Sequence, residues 1–196
     1  MSSDSQSKPE IVVPVSPTLA EGVIRVVRTY LELPGFGHLR RGATAAVVAR
    51  LVRVAPDAIG EWRSLYASIG GPYQWHDRDD WTDVKLAQHL ASPGVRVFRV
   101  QALLPGAPLD DGGFLELETH HDGSVEIVYL GLNQRTHGHG LGRWLVAEAV
   151  EQARVMGATR VWLHTCTLDG PAALPNYLAR GFVVVRTEEY GVKSRS

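Results

Sequence analysis

Cysteine is nearly absent: Cys166 is the only one in 196 residues, so no internal disulfide and no Cys-x-x-Cys pair can form. That agrees with a reducing compartment, and Cys166 reads more readily as a small buried hydrophobe than as a reactive thiol. Neither sign of charge is in excess. Lys and Arg number 20 against 21 Asp and Glu, a formal net charge of −1, which removes the electrostatic case for a nucleic-acid partner. Long apolar runs are missing too: Met1 to Glu10 is polar, and Ile11-Val12-Val13-Pro14-Val15 is far too short for a signal or membrane segment. The expectation is a cytoplasmic protein without a membrane partner. Residues 1–20 are expected as a disordered tail and residues 21–196 as one domain, since 44% apolar content can bury one sizeable core. His120, His121, His137, His139 and His164 share one half of the chain but show no convergent ligand spacing, so no metal is expected.

Glycine, by contrast, is concentrated in Asn133-Gln134-Arg135-Thr136-His137-Gly138-His139-Gly140-Leu141-Gly142-Arg143-Trp144. Glycines at 138, 140 and 142 remove the Cβ atoms that would block close backbone approach, so N–H groups at a helix start can converge on an anion. The helix dipole favours negative charge there. A plain surface turn also spaces glycines in this way, and the flanks shift the balance. Upstream, Ser124-Val125-Glu126-Ile127-Val128-Tyr129-Leu130-Gly131-Leu132 is apolar, β-branched and free of proline, the pattern of a buried strand. Downstream, Leu141, Trp144, Leu145, Ala149, Ala153 and Met156 recur at helical spacing, and Gly157 is placed to end that helix. Strand, glycine loop and helix form a phosphate-binding arrangement. A Walker loop needs Gly-Lys-Ser/Thr, which is absent. A dinucleotide fold needs a carboxylate about twenty residues on, where Trp162 stands in acid-free surroundings.

Elsewhere, residues 23–33 and 47–54 read as strands separated by the Pro34-Gly35-Phe36-Gly37 turn, the second being equally compatible with a helix. Pro56 suits the first turn of a helix whose inner face is Ile59, Trp62, Leu65, Tyr66 and Ile69, ended by Gly70-Gly71-Pro72. Thr82 is the expected cap of a second short helix running to Leu90. Residues 95–104 and 113–120 alternate as strands around a loop at 105–112, and His121-Asp122-Gly123 turns the chain into the Glu126 strand.

Arg135-x-x-Gly138-x-Gly140 resembles the acyl-CoA signature of the GNAT superfamily, the acetyl-CoA-dependent N-acetyltransferases, in a bacterial-type form. The likeness continues through the strand Arg160-Val161-Trp162-Leu163-His164-Thr165. Residues 169–182 then look like the family's last helix, with Tyr177 four residues before Gly181-Phe182. It runs from about Val95 to Tyr190. The resemblance implies an α/β fold with a mixed, mostly antiparallel central sheet flanked by helices. It also implies transfer of an acetyl group from acetyl-CoA to a primary amine by direct attack in a ternary complex. A non-catalytic CoA-binding sensor and an acyltransferase for a longer acyl-CoA are the alternatives. The acceptor is a small-molecule or protein amine, and a homodimer is left open. By the same resemblance the pantetheine arm lies along Leu130, Gly131 and Leu132. The CoA pyrophosphate is held by the loop of Gln134, Arg135, His137, Gly138, His139, Gly140, Leu141, Gly142 and Arg143. His137 and His139 depart from the family, which often has permanently basic side chains there, so phosphate affinity is expected to vary with pH.

Amide formation from a thioester needs a neutral amine, a polarised carbonyl and a proton for the departing thiolate. Glu126 occupies the position of a family glutamate that acts as base, directly or through water; its other reading is an ordinary paired strand charge. Glu116 and Glu118, on one face of the adjacent strand, are the next candidates, and a mechanism without a single base remains open. The resemblance puts Tyr177 near the CoA sulfur as the acid, against the reading of a packed aromatic. Asp169 is expected to cap the helix that begins near Pro171, and the resemblance implies that amides near Leu132 polarise the carbonyl. Between the two early helices, Pro72-Tyr73-Gln74-Trp75-His76-Asp77-Arg78-Asp79-Asp80-Trp81 interleaves aromatics with both charges. Tyr73, Trp75 and Arg78 are the candidate acceptor contacts, although Trp75 and Trp81 would equally well pin a long loop to the core.

Overall fold

Apolar runs bounded by turn residues lay the chain down as a seven-stranded sheet. In the computed structural model, which describes residues 23–193, the strands are β1 (Val23–Leu33), β2 (Val48–Arg53), β3 (Val95–Leu103), β4 (Leu109–Thr119), β5 (Ser124–Leu132), β6 (Arg160–Cys166) and β7 (Val183–Lys193). The tail expected over residues 1–20 lies outside the described residues. The helices are α1 (Ile59–Gly70), α2 (Asp83–Leu90), α3 (Leu141–Val155) and α4 (Ala173–Ala179). Across the sheet the order is β2-β3-β4-β5-β6-β1-β7, and each neighbouring pair is antiparallel except β5 with β6, which α3 joins as a crossover. This is the mixed, mostly antiparallel α/β architecture expected above.

Several local expectations change. The run at 47–54 is a strand and not a helix, but β1 and β2 are not neighbours: β1 lies between β6 and β7, and β2 forms the far edge. A residue pattern selects the buried face of a strand, whereas its partner is chosen by the rest of the sheet. The loop expected at 105–112 is shorter, because Leu109, Asp110 and Asp111 already pair with Leu103, Ala102 and Gln101 before a bulge. Pro56 lies ahead of α1, whose first residue is Ile59. Thr82 does cap α2, its hydroxyl accepting the Lys85 N–H at 3.2 Å.

The helices bury their apolar faces on opposite sides of the sheet. On one side Leu145, Val146, Ala149 and Val150 of α3 pack with Leu115, Leu117, Ile127 and Leu163. On the other, Trp62, Leu65, Tyr66 and Ile69 of α1 and Leu86 of α2 pack with Val97, Phe114 and Tyr129. Within this second core sits a charge. Glu116 is wholly buried and accepts hydrogen bonds from Trp62 Nε1 at 2.7 Å, Arg78 Nη1 at 2.6 Å and His89 Nε2 at 2.9 Å. Burial alone would raise its pKa; the donors from His89, Arg78 and Trp62 outweigh that and hold it below the ordinary carboxylate value. Arg78 in turn lies 4.6 Å over the Trp81 ring and 4.9 Å over Tyr129. The network fastens the segment between α1 and α2 to the sheet.

Glu116→Gln preserves the shape but leaves the Arg78 guanidinium without its counter-charge, and breaking a buried pair from one side costs about 3–5 kcal/mol. Chemical denaturation at pH 7 should show that loss. Because folding lowers the Glu116 pKa, its contribution is full above the ordinary value of 4.5 and fades as pH falls through the folded value. The gap between wild type and variant should therefore narrow on the acid side only. Equal stability at pH 7 would show the pair to be dispensable.

Candidate active site

β5 and β6 stay together only at their beginning. They pair in parallel from Ser124 with Arg160 to Ile127 with Leu163. Beyond that point β5 leaves β6 while remaining paired to β4 as far as Leu132. The departure coincides with a bulge: Glu116 pairs with Tyr129 and Leu117 with Ile127, so Val128 is an extra residue in β5. Bulges bend and twist the strand that carries them. Between the parted strands opens a cavity of about 890 Å³, bordered by β5, the glycine loop, the residue 73–77 segment, the end of β6 and α4. Along this opening the backbone of residues 128–132 has no strand on its β6 side among the described residues.

The loop after β5 is shaped to leave N–H groups free. The Asn133 side chain accepts the Arg135 N–H at 3.1 Å, and the Thr136 hydroxyl donates to the Asn133 carbonyl at 2.6 Å, folding residues 134–136 into a 3-10 turn. Gly138 and Gly140 follow in the left-handed region, with φ of +81° and +78°. No side chain caps α3, so the N–H groups of Leu141, Gly142 and Arg143 have no acceptor within the helix. A Cβ on Gly140 would lie 2.5 Å from Arg143 Nη2, and Arg143 Nε is buried without a partner among the described residues. The result is a cradle for an anion. His137 ties it to β5, Nε2 donating to the Leu132 carbonyl at 3.3 Å.

Of the residues expected in this part of the site, Leu130, Gly131, Leu132, His137, Gly138, Gly140, Leu141, Gly142 and Arg143 border the cavity. Gln134, Arg135 and His139 do not. Arg135 turns outward to pair with Asp110 at 2.9 Å. His139 uses its carbonyl to accept the Ala46 N–H at 2.9 Å.

Glu126 stands behind the cavity wall and not on it. Its side chain is 12% exposed; Oε2 accepts from His120 Nε2 at 3.0 Å, and Oε1 lies 3.7 Å from His164 Nε2. Burial raises its pKa against the opposing influence of His120. His164, which the sequence marked only as an unconvincing metal ligand, does border the cavity. Its pKa is lowered by burial and by the charge of Arg28. Glu116, the other strand carboxylate considered, is consumed by the buried network, while Glu118 pairs across the ladder with Glu126. Tyr177 is 7% exposed, packs edge-on against Phe182 and borders the cavity, and burial pushes its phenol pKa upward. Asp169 does not cap α4: it accepts from Thr165 Oγ1 at 2.6 Å and the Cys166 N–H at 2.9 Å, closing the turn after β6.

On the opposite wall, Tyr73 and Trp75 border the cavity and Arg78 does not. The Arg78 side chain is 6% exposed in its pair with Glu116, so its expected contact with an acceptor is replaced by a structural one. Its neighbour Asp77, part of the same run but not among the candidate contacts, is there instead. Asp77 borders the cavity and accepts from the hydroxyls of Tyr66, at 3.1 Å, and Tyr129. Among the described residues no group of three or more His, Cys, Asp and Glu is placed to hold a metal ion, and no helix is long and apolar enough to cross a membrane.

The sequence profile of the acetyltransferase (GNAT) family matches residues 62–182. No curated protein matches the chain. Solved structures share its fold. A GCN5-related N-acetyltransferase from Kribbella flavida is 23% identical with a TM-score of 0.56, the match covering 89% of this chain and 61% of that one. A GCN5-related N-acetyltransferase-like protein from Streptococcus suis is 12% identical with a TM-score of 0.54, covering 86% and 61%. An aminoglycoside acetyltransferase from an uncultured soil metagenomic sample, in complex with sisomicin, is 15% identical with a TM-score of 0.53, covering 67% and 86%. The chain spans about three fifths of the length of the first two.

The cavity wall at Trp75 rests on two missing side chains. A Cβ on Gly70 would come within 2.3 Å of the Trp75 ring, and one on Gly131 within 3.1 Å. Alanine in place of a helical glycine ordinarily stabilises by about 0.5–1 kcal/mol. Gly70→Ala should instead lower the thermal midpoint, because the indole must leave its seat. A raised midpoint in a circular-dichroism melt would show that the indole is not held there.

Proposed function

The chain belongs to the GNAT family of acetyltransferases, and on that premise we propose that it is an N-acetyltransferase moving an acetyl group from acetyl-CoA to a primary amine. Residues 21–196 act as one domain in this reading. The observation that carries it is the meeting, around one cavity, of two surfaces: the edge of β5 at residues 128–132, which no strand covers among the described residues, and the start of α3, which no side chain caps among them. Gly138, Gly140, Leu141, Gly142 and Arg143 would hold the pyrophosphate. Leu130, Gly131 and Leu132 would hold the pantetheine amides in the manner of an added strand. Bound there, acetyl-CoA supplies an acyl carbonyl already activated toward an amine.

The remaining residues sort by the demands of the reaction. Tyr177, kept protonated by burial, gives a proton to the departing sulfur. Glu126, behind the cavity wall, serves the amine side through an intervening group. Tyr73 and Trp75 form apolar walls for the acceptor, and the Asp77 carboxylate suits a cationic amine. The single free thiol, Cys166, fits a cytoplasmic setting.

Free-thiol release from acetyl-CoA across a broad panel of primary amines tests the activity directly. Amine-dependent release is expected; bound CoA with no release would identify a sensor, and release only from longer acyl-CoA would identify a different donor. Gly140→Glu puts a carboxylate into the pyrophosphate space and a side chain onto a backbone at φ +78°. Calorimetry should then show CoA binding lost with the circular dichroism unchanged, and normal binding would refute the loop assignment. Tyr177→Phe should lower kcat by about 10²-fold or more, with the deficit deepening as pH rises, since no other donor is assigned to the thiolate. An unchanged rate would return Tyr177 to a packing role.

A further inference from the structure

We propose that His164 is the group that takes the proton from the acceptor amine, and that Glu126, held from behind by His120, is the carboxylate that orients His164 and favours its charged form. The inference deepens the N-acetyltransferase reading and rests on it. Its basis is a line of three side chains leading away from the cavity along one face of the sheet. His164 in β6 borders the cavity, whereas Glu126 and His120 do not. Side-chain exposures of 37%, 12% and 37% follow in order along His164, Glu126 and His120. Both ends of the line are therefore open, one to the cavity and one elsewhere, with a buried carboxylate between them. Glu126 cannot itself touch an amine in the cavity.

The geometry also assigns the ring nitrogens. A carboxylate only accepts, so His120 Nε2–H donates to Glu126 Oε2 at 3.0 Å. His164 presents Nε2 to Oε1 at 3.7 Å, the spacing of an ion pair and longer than a direct hydrogen bond. With Nε2 turned to Glu126, Nδ1 is the nitrogen left to accept a proton, the division of labour by which a carboxylate orients an imidazole base. Every element packed around His164 contributes to its charge state. Arg28 of β1 disfavours the imidazolium, Asp77, Asp169 and Glu188 favour it, and Tyr30 of β1 meets its ring edge at 5.8 Å. Burial and Arg28 prevail, so the imidazole is neutral at neutral pH and free to act as a base.

The proton inventory closes. While the amine nitrogen bonds to the carbonyl carbon and the C–S bond breaks with its electron pair going to sulfur, His164 takes the proton that the nitrogen sheds and Tyr177 supplies one to sulfur. His164 then releases its proton to solvent through the open cavity, and Tyr177 recovers one.

The test combines kinetics with a readout that needs no turnover. In the wild type, kcat/KM against pH should show an acid limb below the ordinary imidazole value of 6.5. His164→Gln should remove that limb and reduce the neutral-pH rate by about 10²- to 10⁴-fold, with CoA affinity by calorimetry unchanged. His164→Ala should be partly restored by added imidazole. Independently, the NMR titration of His164 in the free protein should move to lower pH in Glu126→Gln, because the carboxylate that favours the imidazolium is gone. An active wild type with His164→Gln within twofold of it at every pH overturns the assignment of His164 alone. So does a His164 titration that ignores Glu126→Gln. A wild type that releases no thiol with any amine overturns the acetyltransferase reading together with that assignment.

Discussion

A parallel ladder that stops after four residue pairs is the constraint on which the rest of the site depends. Two strands that continued side by side would satisfy each other's backbone and leave no room between them. Because β5 carries Val128 as an extra residue and bends away, its backbone groups at 128–132 face a cavity, and buried backbone groups must find partners. β6 does not follow, since Leu163, His164, Thr165 and Cys166 remain paired to Leu31, Tyr30, Thr29 and Arg28 of β1. The parting thus frees one side of each strand. On β5 it creates an edge, and on β6 it uncovers His164 and Cys166. The start of α3 arrives at the same opening because β5 ends at Leu132 and the glycine loop reverses the chain at once.

The acceptor wall depends on a different economy. The segment between α1 and α2 has little regular structure beyond the 3-10 turn at Gly71–Tyr73, so what places it is one buried charge pair. Sinking Arg78 onto Glu116 leaves its neighbour Asp77 at the cavity, where Tyr66 and Tyr129 hold the carboxylate. Trp75 is seated against Gly70 and Gly131, both of which lack the side chain that would displace it. Well-packed hydrophobic residues in place of a buried ion pair often stabilise a core equally well; they would not direct Asp77 in the same way.

What could be read in advance divides along physical lines. The β5-loop-α3 unit was legible because its signals are local: a β-branched run, glycines at left-handed positions, and apolar residues at helical spacing. The Thr82 cap was legible for the same reason. The place of β1 between β6 and β7 was not, since it depends on strands more than a hundred residues away in the chain. Asp77 and Arg78 could not be told apart in a run of mixed charge until the depth of Glu116 was known. His164 was overlooked because a strand histidine becomes a cavity residue only where a neighbouring strand departs, a property of the sheet and not of the residues around it. Asp169 was assigned to a helix cap by its proximity to Pro171, yet the turn after β6 offered it a nearer N–H and hydroxyl.

The central claim is that the parted edge of β5 and the uncapped start of α3 together form one binding surface for CoA. Amide chemical-shift mapping during titration with CoA addresses it most directly. The account predicts that the largest shifts fall on residues 128–132 and 138–143 together, with β2 and the neighbouring end of β3 unaffected. Shifts confined to any other part of the sheet, or to the loop without the strand, would contradict it.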